Sequence, residues 1–280
     1  MKVLPFKILK PINQNLIVQV DEAEMFYNQL HAHEEIQLSL ISKGHGKLIA
    51  GDSIHNFKEG DFFVIGSNCP HLFQNEKTHS HVKMISLFFT RDSFGSDFFN
   101  LADLESIRSF FEIANDGFRL LSDKDFVNGL MINFPKQDKF TRFINLLMLI
   151  KILCKAEREI LTRFVYPKKI GNRDGQRLQA IFEFVLNNYQ SEISLETVAD
   201  LAYMTPNAFC RFFKNRTQKT FFQFLIELRL EHACQLLTGT ELPIAEISEK
   251  SGFNSISNFN RQFKSHKGIA PSQYKTRIIA

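Results

Sequence analysis

The chain has 280 residues, enough for two domains, and 44% of them are hydrophobic, which excludes an intrinsically disordered chain. Its 34 Lys and Arg against 30 Asp and Glu leave a net charge of +4, an excess too small to indicate or exclude a nucleic-acid partner. Residues 1–7 lack an uninterrupted apolar run, and the most apolar stretch, residues 144–154, is too short to span a membrane, so we expect a cytoplasmic protein without a membrane partner.

The segment from Leu16 to Phe89 has a pattern typical of short β-strands. Apolar runs alternate with turn signals such as Gly51-Asp52 and Glu59-Gly60-Asp61. The predicted strands are residues 16–20, 35–41, 46–50, 62–65 and 82–89. Closely spaced strands without intervening helices are typical of a sandwich or small barrel, so we predict a β domain over residues 1–92.

Two groups of residues in this segment resemble the two sequence motifs of the cupin family. The first group is His31-Ala32-His33 followed by Gln37, and the second is Gly60-Asp61 followed by Pro70-His71. In cupins, H-x-H, a Glu four residues later and a more distant His hold a divalent metal inside a small β-barrel. Three positions depart from the family pattern, where cupins have Glu, Pro and Gly: Gln37, Gly66 and Asn68.

The resemblance implies a metal site. The implied ligands are His31, His33, Gln37 and His71. On a strand, His31 and His33 would share one face, which Glu35 and Gln37 continue. Three imidazoles and an amide oxygen would suit Zn²⁺, Ni²⁺ or Fe²⁺, although an amide is a weak ligand. The alternative is a barrel without metal, in which the histidines only form hydrogen bonds, for example to an organic effector. The other histidines are expected to be exposed: His45, His55, His79 and His81.

From Leu101 the apolar period becomes helical. Apolar residues at three- and four-residue steps predict a helix that ends before Gly117, and a longer helix runs from Phe140 to Cys154. Two interpretations of the longer apolar stripe stay open: packing on the β domain, or pairing with a second subunit. We expect a helical linker and dimerisation segment over residues 93–165.

A basic stretch from Pro167 to Gly175 has the composition of an interdomain linker, which we place at residues 166–176. Residues 177–280 are predicted to be helical and contain an internal repeat. The frame Phe-x-Arg-x-Phe-Lys begins at Phe209 and again at Phe259. Each copy reads as a short helix, a tight turn and a second helix, which is the pattern of a helix-turn-helix.

Capping signals support the same helices. Ser194 can cap the first helix of the first copy, and Thr205-Pro206 supplies an N-cap followed by proline at N1. In the second copy Pro243 precedes the first helix, Gly252 supplies the turn, and Asn254 or Ser255 can cap the second. In a helix-turn-helix the second helix lies in the major groove of DNA.

The charge pattern fits DNA. No acidic residue lies between Asp200 and Glu227, and none follows Glu249, whereas both stretches contain several Lys and Arg. Phe209, Phe213 and their counterparts in the second copy should face the core. The residues that should face DNA are Asn207, Cys210, Arg211, Lys214, Arg216, Ser257, Asn260, Arg261 and Lys264.

Among these, the side chains that suit base edges are those of Asn207, Arg211, Asn260 and Arg261. Lys214, Arg216 and Lys264 are expected to contact phosphate. The alternative for either base-reading arginine is a phosphate contact or a salt bridge within the protein.

These segments resemble the AraC/XylS family of bacterial transcription regulators. The segment from Arg229 to Leu237 is similar to the helix that joins the family's two helix-turn-helices, and the segment from Gly252 to Tyr274 is similar to its C-terminal signature. Met204 and Ala270 depart from the residues usual at their positions. The resemblance implies a rigid unit that places two helices in successive major-groove segments.

The expected fold is therefore α+β: an N-terminal cupin-like β-barrel with a helical dimerisation segment, and a C-terminal all-α double helix-turn-helix domain. We expect a homodimeric regulator of transcription, an activator that contacts RNA polymerase, controlled by a small-molecule or metal effector bound in the barrel. Two rivals are a cupin dioxygenase or isomerase with a helical appendage, and an architectural DNA-binding protein without an effector.

Overall fold

The computed structural model describes residues 14–27, 29–75, 81–162 and 172–279, which form two compact units that divide near Asn172. Except for Ser53 and Ile54 at the start of the fourth strand, which are grouped with the second unit, the strands lie in the first unit. They are β1 (Ile17–Ala23), β2 (Ile36–Lys43), β3 (Gly46–Ala50), β4 (Ser53–Phe57), β5 (Phe62–Ile65), β6 (His71–Asn75), β7 (Val82–Phe89), β8 (Phe118–Leu120) and β9 (Arg158–Ile160).

The helices follow the same numbering. In the first unit they are α1 (Phe110–Asn115), α2 (Lys124–Asn133) and α3 (Lys139–Lys155). In the second unit they are α4 (Asn172–Asn188), α5 (Leu195–Leu201), α6 (Pro206–Thr217), α7 (Phe221–Gly239), α8 (Ile244–Lys250), α9 (Ile256–Lys267) and α10 (Pro271–Ile279). Among the described residues, no helix is long and apolar enough to cross a membrane.

The strands form a six-stranded sheet in the order β1-β7-β2-β5-β8-β9 and a three-stranded sheet in the order β4-β3-β6. Residues of β5 show how the two sides of the larger sheet differ. Phe62 and Val64 point into a core with the helices, whereas Phe63 and Ile65 point into a second core with the smaller sheet. The mixed α+β class and the antiparallel cupin-type domain are confirmed.

Four strands were not predicted: β4, β6, β8 and β9. Two of them correct the assignment of residues 93–165 to a helical segment, because β8 and β9 extend the larger sheet beside β5. The helices of this segment also bury Phe110, Leu146 and Leu149 in the same core as strand residues. Residues 93–162 are therefore an integral part of the first unit.

The predicted continuous helix from Leu101 is also wrong. Two 3₁₀ turns, at residues 98–100 and 102–107, precede the short α1. Leu101 between them is extended, and the Arg108 guanidinium donates to the carbonyl oxygens of Asn100 and Leu101 at 2.5 and 3.2 Å. Those carbonyl groups are thus satisfied outside a helix. Gly117 ends α1 with φ +59°, as predicted.

Helix α4 begins inside the predicted linker. Residues 163–171 lie outside the described residues, but Asn172 already belongs to the helix. Asp174 in its first turn accepts from the Arg216 guanidinium of α6 and lies 3.9 Å from that of Arg177. The pair with Arg216 holds the first turn of α4 to α6, so the linker ends earlier than its composition indicates.

Candidate functional sites

The two predicted helix-turn-helices are present in the second unit. In the first, the Ser194 hydroxyl accepts from the backbone N–H of Thr197 at 3.1 Å and caps α5. Thr205 caps α6, whose first residue is Pro206. In the second, Pro243 precedes α8, and Ser255 caps α9 by accepting from the Asn258 N–H at 3.4 Å. The caps fix where each second helix begins.

Each second helix has a buried and an exposed face. Phe209 and Phe213 of α6 and Phe259 and Phe263 of α9 are fully buried, as the repeat predicts. The predicted DNA-facing side chains that are exposed are Asn207, Cys210, Arg211, Lys214, Ser257, Asn260, Arg261 and Lys264. The exposed faces of α6 and α9 therefore present an arginine and a lysine at equivalent positions, Arg211 and Lys214 on α6 and Arg261 and Lys264 on α9, whereas the asparagines of the two faces lie at different positions.

Some basic side chains of this region have acidic partners within the second unit. Arg216 of α6 pairs with Asp174, and Lys267 of α9 pairs with Glu231 of α7. The Lys275 ammonium donates to the Leu242 carbonyl oxygen at 3.2 Å. Arg216, which we predicted to meet phosphate, thus contributes to packing between helices, and the positive charge on the exposed faces is smaller than a count of Lys and Arg indicates.

Arg261 has a partner on its own helix. Its Nη2 donates to Oδ1 of Asn258 at 2.8 Å, three residues earlier. The amide orients the guanidinium without neutralising its charge. The remaining N–H groups stay available for a bidentate contact with a base edge.

The two turns differ in a way that the sequence did not predict. Tyr203 and Gly252 occupy equivalent turn positions, with φ of +55° and +85°. Tyr203 is 89% exposed, whereas Gly252 is buried. The sequence does contain a sign of this difference, because an offset of 49 residues aligns Tyr203 of the first copy with Gly252 of the second.

The histidine cluster of the first unit is also assembled as predicted. One ligand atom from each of His31, His33 and His71 lies within 4.8 Å of the others, and all three side chains are buried. The local structure differs from the expectation, because residues 31–35 precede β2 instead of forming a strand. His31 forms an isolated bridge with His71 through backbone bonds of 3.1 and 2.9 Å, and this bridge positions both rings.

Each imidazole is oriented by its Nδ1 atom. The Nδ1–H groups of His31, His33 and His71 donate to the backbone carbonyl oxygens of Gln29, Glu35 and Cys69 at 2.8, 2.9 and 2.9 Å. Carbonyl oxygens only accept, so Nδ1 carries the proton and Nε2 carries the lone pair in the neutral ring. This is the arrangement in which outer partners prepare histidines to bind a metal through Nε2.

Gln37 lies at the centre of the cluster. Its Oε1 is 3.1 Å from Nε2 of His33 and 3.0 Å from Nε2 of His71, and its Nε2 donates to Ser39 Oγ at 2.8 Å. Two neutral imidazole nitrogens and a carbonyl oxygen are all acceptors, so a cation or a proton must lie between them, or the amide must turn its NH₂ toward the rings. The donor set therefore fits a divalent metal and also a metal-free network.

Burial keeps the three rings neutral. Desolvation lowers the pKa of His31 to about 4, lowers that of His33, and lowers that of His71 well below its ordinary value. The neighbouring imidazoles further lower the pKa of His31 and His71. Near neutral pH the Nε2 lone pairs are therefore available to a metal ion.

The remaining histidines do not form a second cluster among the described residues. His81 is exposed and lies 2.9 Å from a carboxylate oxygen of Glu22. His45 and His55 are half-buried rather than exposed, and Nε2 of His55 lies 2.8 Å from the carbonyl oxygen of Leu161. His79 lies outside the described residues.

Aromatic rings fill the space between the two sheets. Phe26, Phe57 and Phe73 contact one another with ring centroids 5.7–6.4 Å apart. The first unit also has a surface groove of about 390 Å³, bordered by α3 and the residues before β1 and lined by four phenylalanines together with polar and basic side chains.

Two family models match the chain. Residues 198–277 match a helix-turn-helix domain, and residues 17–88 match a cupin domain. The "HTH-type transcriptional activator RhaS" of Mannheimia succiniciproducens is 23% identical over 249 residues, which cover 88% of each chain. The "Probable transcriptional regulator LumQ" of Photobacterium leiognathi is 22% identical over 246 residues, which cover 88% of this chain and 91% of that protein.

A solved structure is similar to the second unit alone. It is the DNA-binding domain of AdpA, a global transcriptional factor, in complex with a target DNA. The identity is 26%, the TM-score is 0.35, and the match covers 36% of this chain and 92% of that one.

Proposed function

We propose that the chain is an AraC-type, sequence-specific transcription activator controlled by an effector of the cupin domain, because it matches a cupin domain followed by a helix-turn-helix domain and is similar to regulators and activators of transcription. The observation that carries the proposal is the repeated exposed face of α6 and α9. Two capped helices with buried phenylalanines each present an exposed arginine, lysine and asparagine, a surface suited to two major-groove segments.

In this proposal Asn207, Arg211, Asn260 and Arg261 contact base edges. Arg suits the O6 and N7 acceptors of guanine, and Asn suits the donor and acceptor pair of adenine. Lys214 and Lys264 contact phosphate, and Cys210 and Ser257 line the same faces. Arg216 also contacts phosphate in this proposal, but it contributes less to DNA affinity than the two lysines, because its pairing with Asp174 already compensates its charge.

The proposed active form is a homodimer that recruits RNA polymerase. Helix α3 carries exposed apolar side chains at four-residue steps, Phe140, Ile144 and Met148, with 73%, 43% and 44% exposure. An apolar stripe of this kind is suited to pairing with the same stripe of a second subunit. The activator names of relatives favour activation over repression.

The effector is a small molecule or a metal ion. For a metal, we propose that His31, His33 and His71 bind through Nε2 and that Gln37 supplies its carbonyl oxygen. A bound Zn²⁺, Ni²⁺ or Fe²⁺ would supply a fixed positive charge in the cluster. An organic effector would use the same polar atoms as hydrogen-bond partners.

A cupin enzyme is the second candidate, favoured by the three-histidine cluster alone. A catalytic metal needs an open position for substrate, whereas Gln37 already occupies the fourth side of the cluster. The helix-turn-helix relatives indicate a regulator, which is not an enzyme.

Genome-wide binding in the native host, with and without candidate effectors, tests the proposal. We expect discrete sites upstream of transcription units, with occupancy or transcription that changes with one effector. Binding without discrete sites would contradict a sequence-specific regulator. Turnover by the metal-loaded protein that survives deletion of residues 170–280 would support the enzyme instead.

A further inference from the structure

Helix α7 belongs to the cores of both helix-turn-helices. Its N-terminal half contributes Phe224, whose ring stacks on Phe182 of α4 at 5.1 Å and contacts Phe213 of α6 at 5.7 Å. Its C-terminal half contributes Leu230 and Ala233 to the core that contains Phe259 and Phe263 of α9. The two cores therefore meet along α7 between Phe224 and Leu230.

Arg229 lies at that boundary and reaches back to the first half. Its Nε donates to the carbonyl oxygen of Tyr189 at 2.7 Å, and its Nη2 donates to that of Ser191 at 2.8 Å. Both carbonyl groups follow the last turn of α4, where the helix dipole favours a positive charge. The guanidinium thus fixes the end of α4 to the middle of α7.

The turn of the second helix-turn-helix reaches the same point. A Cβ atom on Gly252 would lie 2.6 Å from the Tyr189 carbonyl oxygen and 2.8 Å from Arg229 Nε. Such distances are too short for real contacts, so a residue with a side chain does not fit there. Three parts of the unit therefore meet at one junction: the end of α4, Arg229 of α7 and the turn before α9.

The equivalent turn in the first half has no such restriction. Tyr203 also has a backbone in the left-handed region, but its side chain is 89% exposed. Close packing at the turn is thus a property of the junction and is not required by a helix-turn-helix itself. The buried turn at Gly252 therefore serves to join the two helix-turn-helices and is not needed for either of them to fold.

We propose that Arg229 sets the position of α9 relative to α6, and thereby the spacing of the two DNA segments that the protein accepts. This inference rests on the proposed reading of DNA by both helices. Arg229 is a positioning residue in this account, because it acts through the two recognition helices. A lysine in its place would keep the charge but could not make both bonds of the planar guanidinium.

The test measures the affinity of the full chain for its selected DNA site and for the same site with one base pair inserted between the two segments. Wild-type protein should bind the inserted site about tenfold or more weakly, since misplacement costs one half of the base contacts. The spacing ratio is the affinity for the original site divided by the affinity for the inserted site. Arg229→Lys should reduce the spacing ratio to about threefold or less and should weaken binding to the original site. Arg177→Lys is the matched control, because Arg177 contacts Asp174 and the Phe212 ring within the first half.

Each outcome has a distinct meaning. If Arg229→Lys keeps the wild-type spacing ratio, the inference is wrong, whatever its stability. If wild-type protein binds both sites equally well, the proposed contact of both α6 and α9 with bases is wrong, and the inference about Arg229 is wrong with it. Gly252→Ala gives a second approach to the junction and should alter the ratio in the same direction, with folding checked by circular dichroism.

Discussion

Arg261 and Lys264 lie one helical turn apart on the exposed face of α9, and we assign them to different kinds of DNA contact. Arg261→Ala should cost about 1–3 kcal/mol at a cognate site and relax preference at one base position. Lys264→Ala should weaken binding to all sequences similarly and reduce the salt dependence. Titrations against the site and its single-base variants check both. Equal weakening of all sequences by Arg261→Ala would reassign Arg261 to phosphate.

Gln37 decides how strongly the histidine cluster holds a metal. Gln37→Glu replaces a weak amide ligand by a carboxylate, so we expect roughly tenfold or tighter Zn²⁺ or Ni²⁺ binding by calorimetry. Without metal the variant should be less stable than wild type, because a buried carboxylate replaces a neutral amide. His71→Ala is the control and should lose binding. Unchanged metal affinity in Gln37→Glu would show that residue 37 is not a ligand, and no metal binding by either protein would show that the cluster is a hydrogen-bonding site only.

The same cluster predicts a pH dependence of stability. The pKa of His31 falls from 6.5 to about 4 on folding, so the unfolded chain binds a proton that the folded chain rejects between these values. The metal-free protein should therefore lose stability as pH falls from about 6.5 to about 4, by up to roughly 3 kcal/mol from His31 alone. Chemical denaturation at several pH values measures this. A His31→Asn variant with the wild-type slope would contradict the assignment.

At the scale of elements, α3 carries the surface that we assign to dimerisation. Ile144→Asp should convert the dimer to a monomer in sedimentation experiments without unfolding it, because Ile144 is 43% exposed and contributes little to the core. Ile132→Asp on α2 is the matched control, since Ile132 is 50% exposed outside the stripe, and should stay dimeric. A wild-type monomer, or a dimer in Ile144→Asp, would place the interface elsewhere.

The elements of the second unit could be predicted from sequence because their signals are local. A cap and phenylalanines four residues apart define both α6 and α9 without long-range information, and α6 also has a proline at N1. Strands β8 and β9 could not be found in this way. Each has three residues, and each depends on pairing with a strand that is distant in sequence: β8 pairs with β5, and β9 pairs with β8.

Departures from family patterns were informative only after the structure was known. Asn68 replaces a glycine and adopts φ +56°, a conformation that asparagine tolerates better than most residues. Gly66 replaces a proline, and a Cβ there would lie 2.5 Å from the carbonyl oxygen of Ala114. Likewise, the pairing of Arg216 with Asp174 depends on where α4 begins, which the linker composition concealed.

At the scale of the whole molecule, the net charge of +4 conceals how the charges are distributed. Acidic residues are absent from two long stretches of the second unit, yet several of the basic residues there are paired within it. Among the side chains that the structure describes in these stretches, the arginines and lysines outside such ion pairs lie on α6 and α9. DNA recognition therefore depends on a few exposed side chains, and we expect their removal to abolish specific binding.

The most direct test is the affinity of the Arg211→Ala/Arg261→Ala double variant for the DNA site that wild-type protein selects from random sequence. We predict a bipartite wild-type site with centres about 10 base pairs apart, and a loss of about 100-fold or more in the folded double variant, down to the level of nonspecific DNA. Wild-type affinity in the double variant, with an unchanged selected site, would contradict the account.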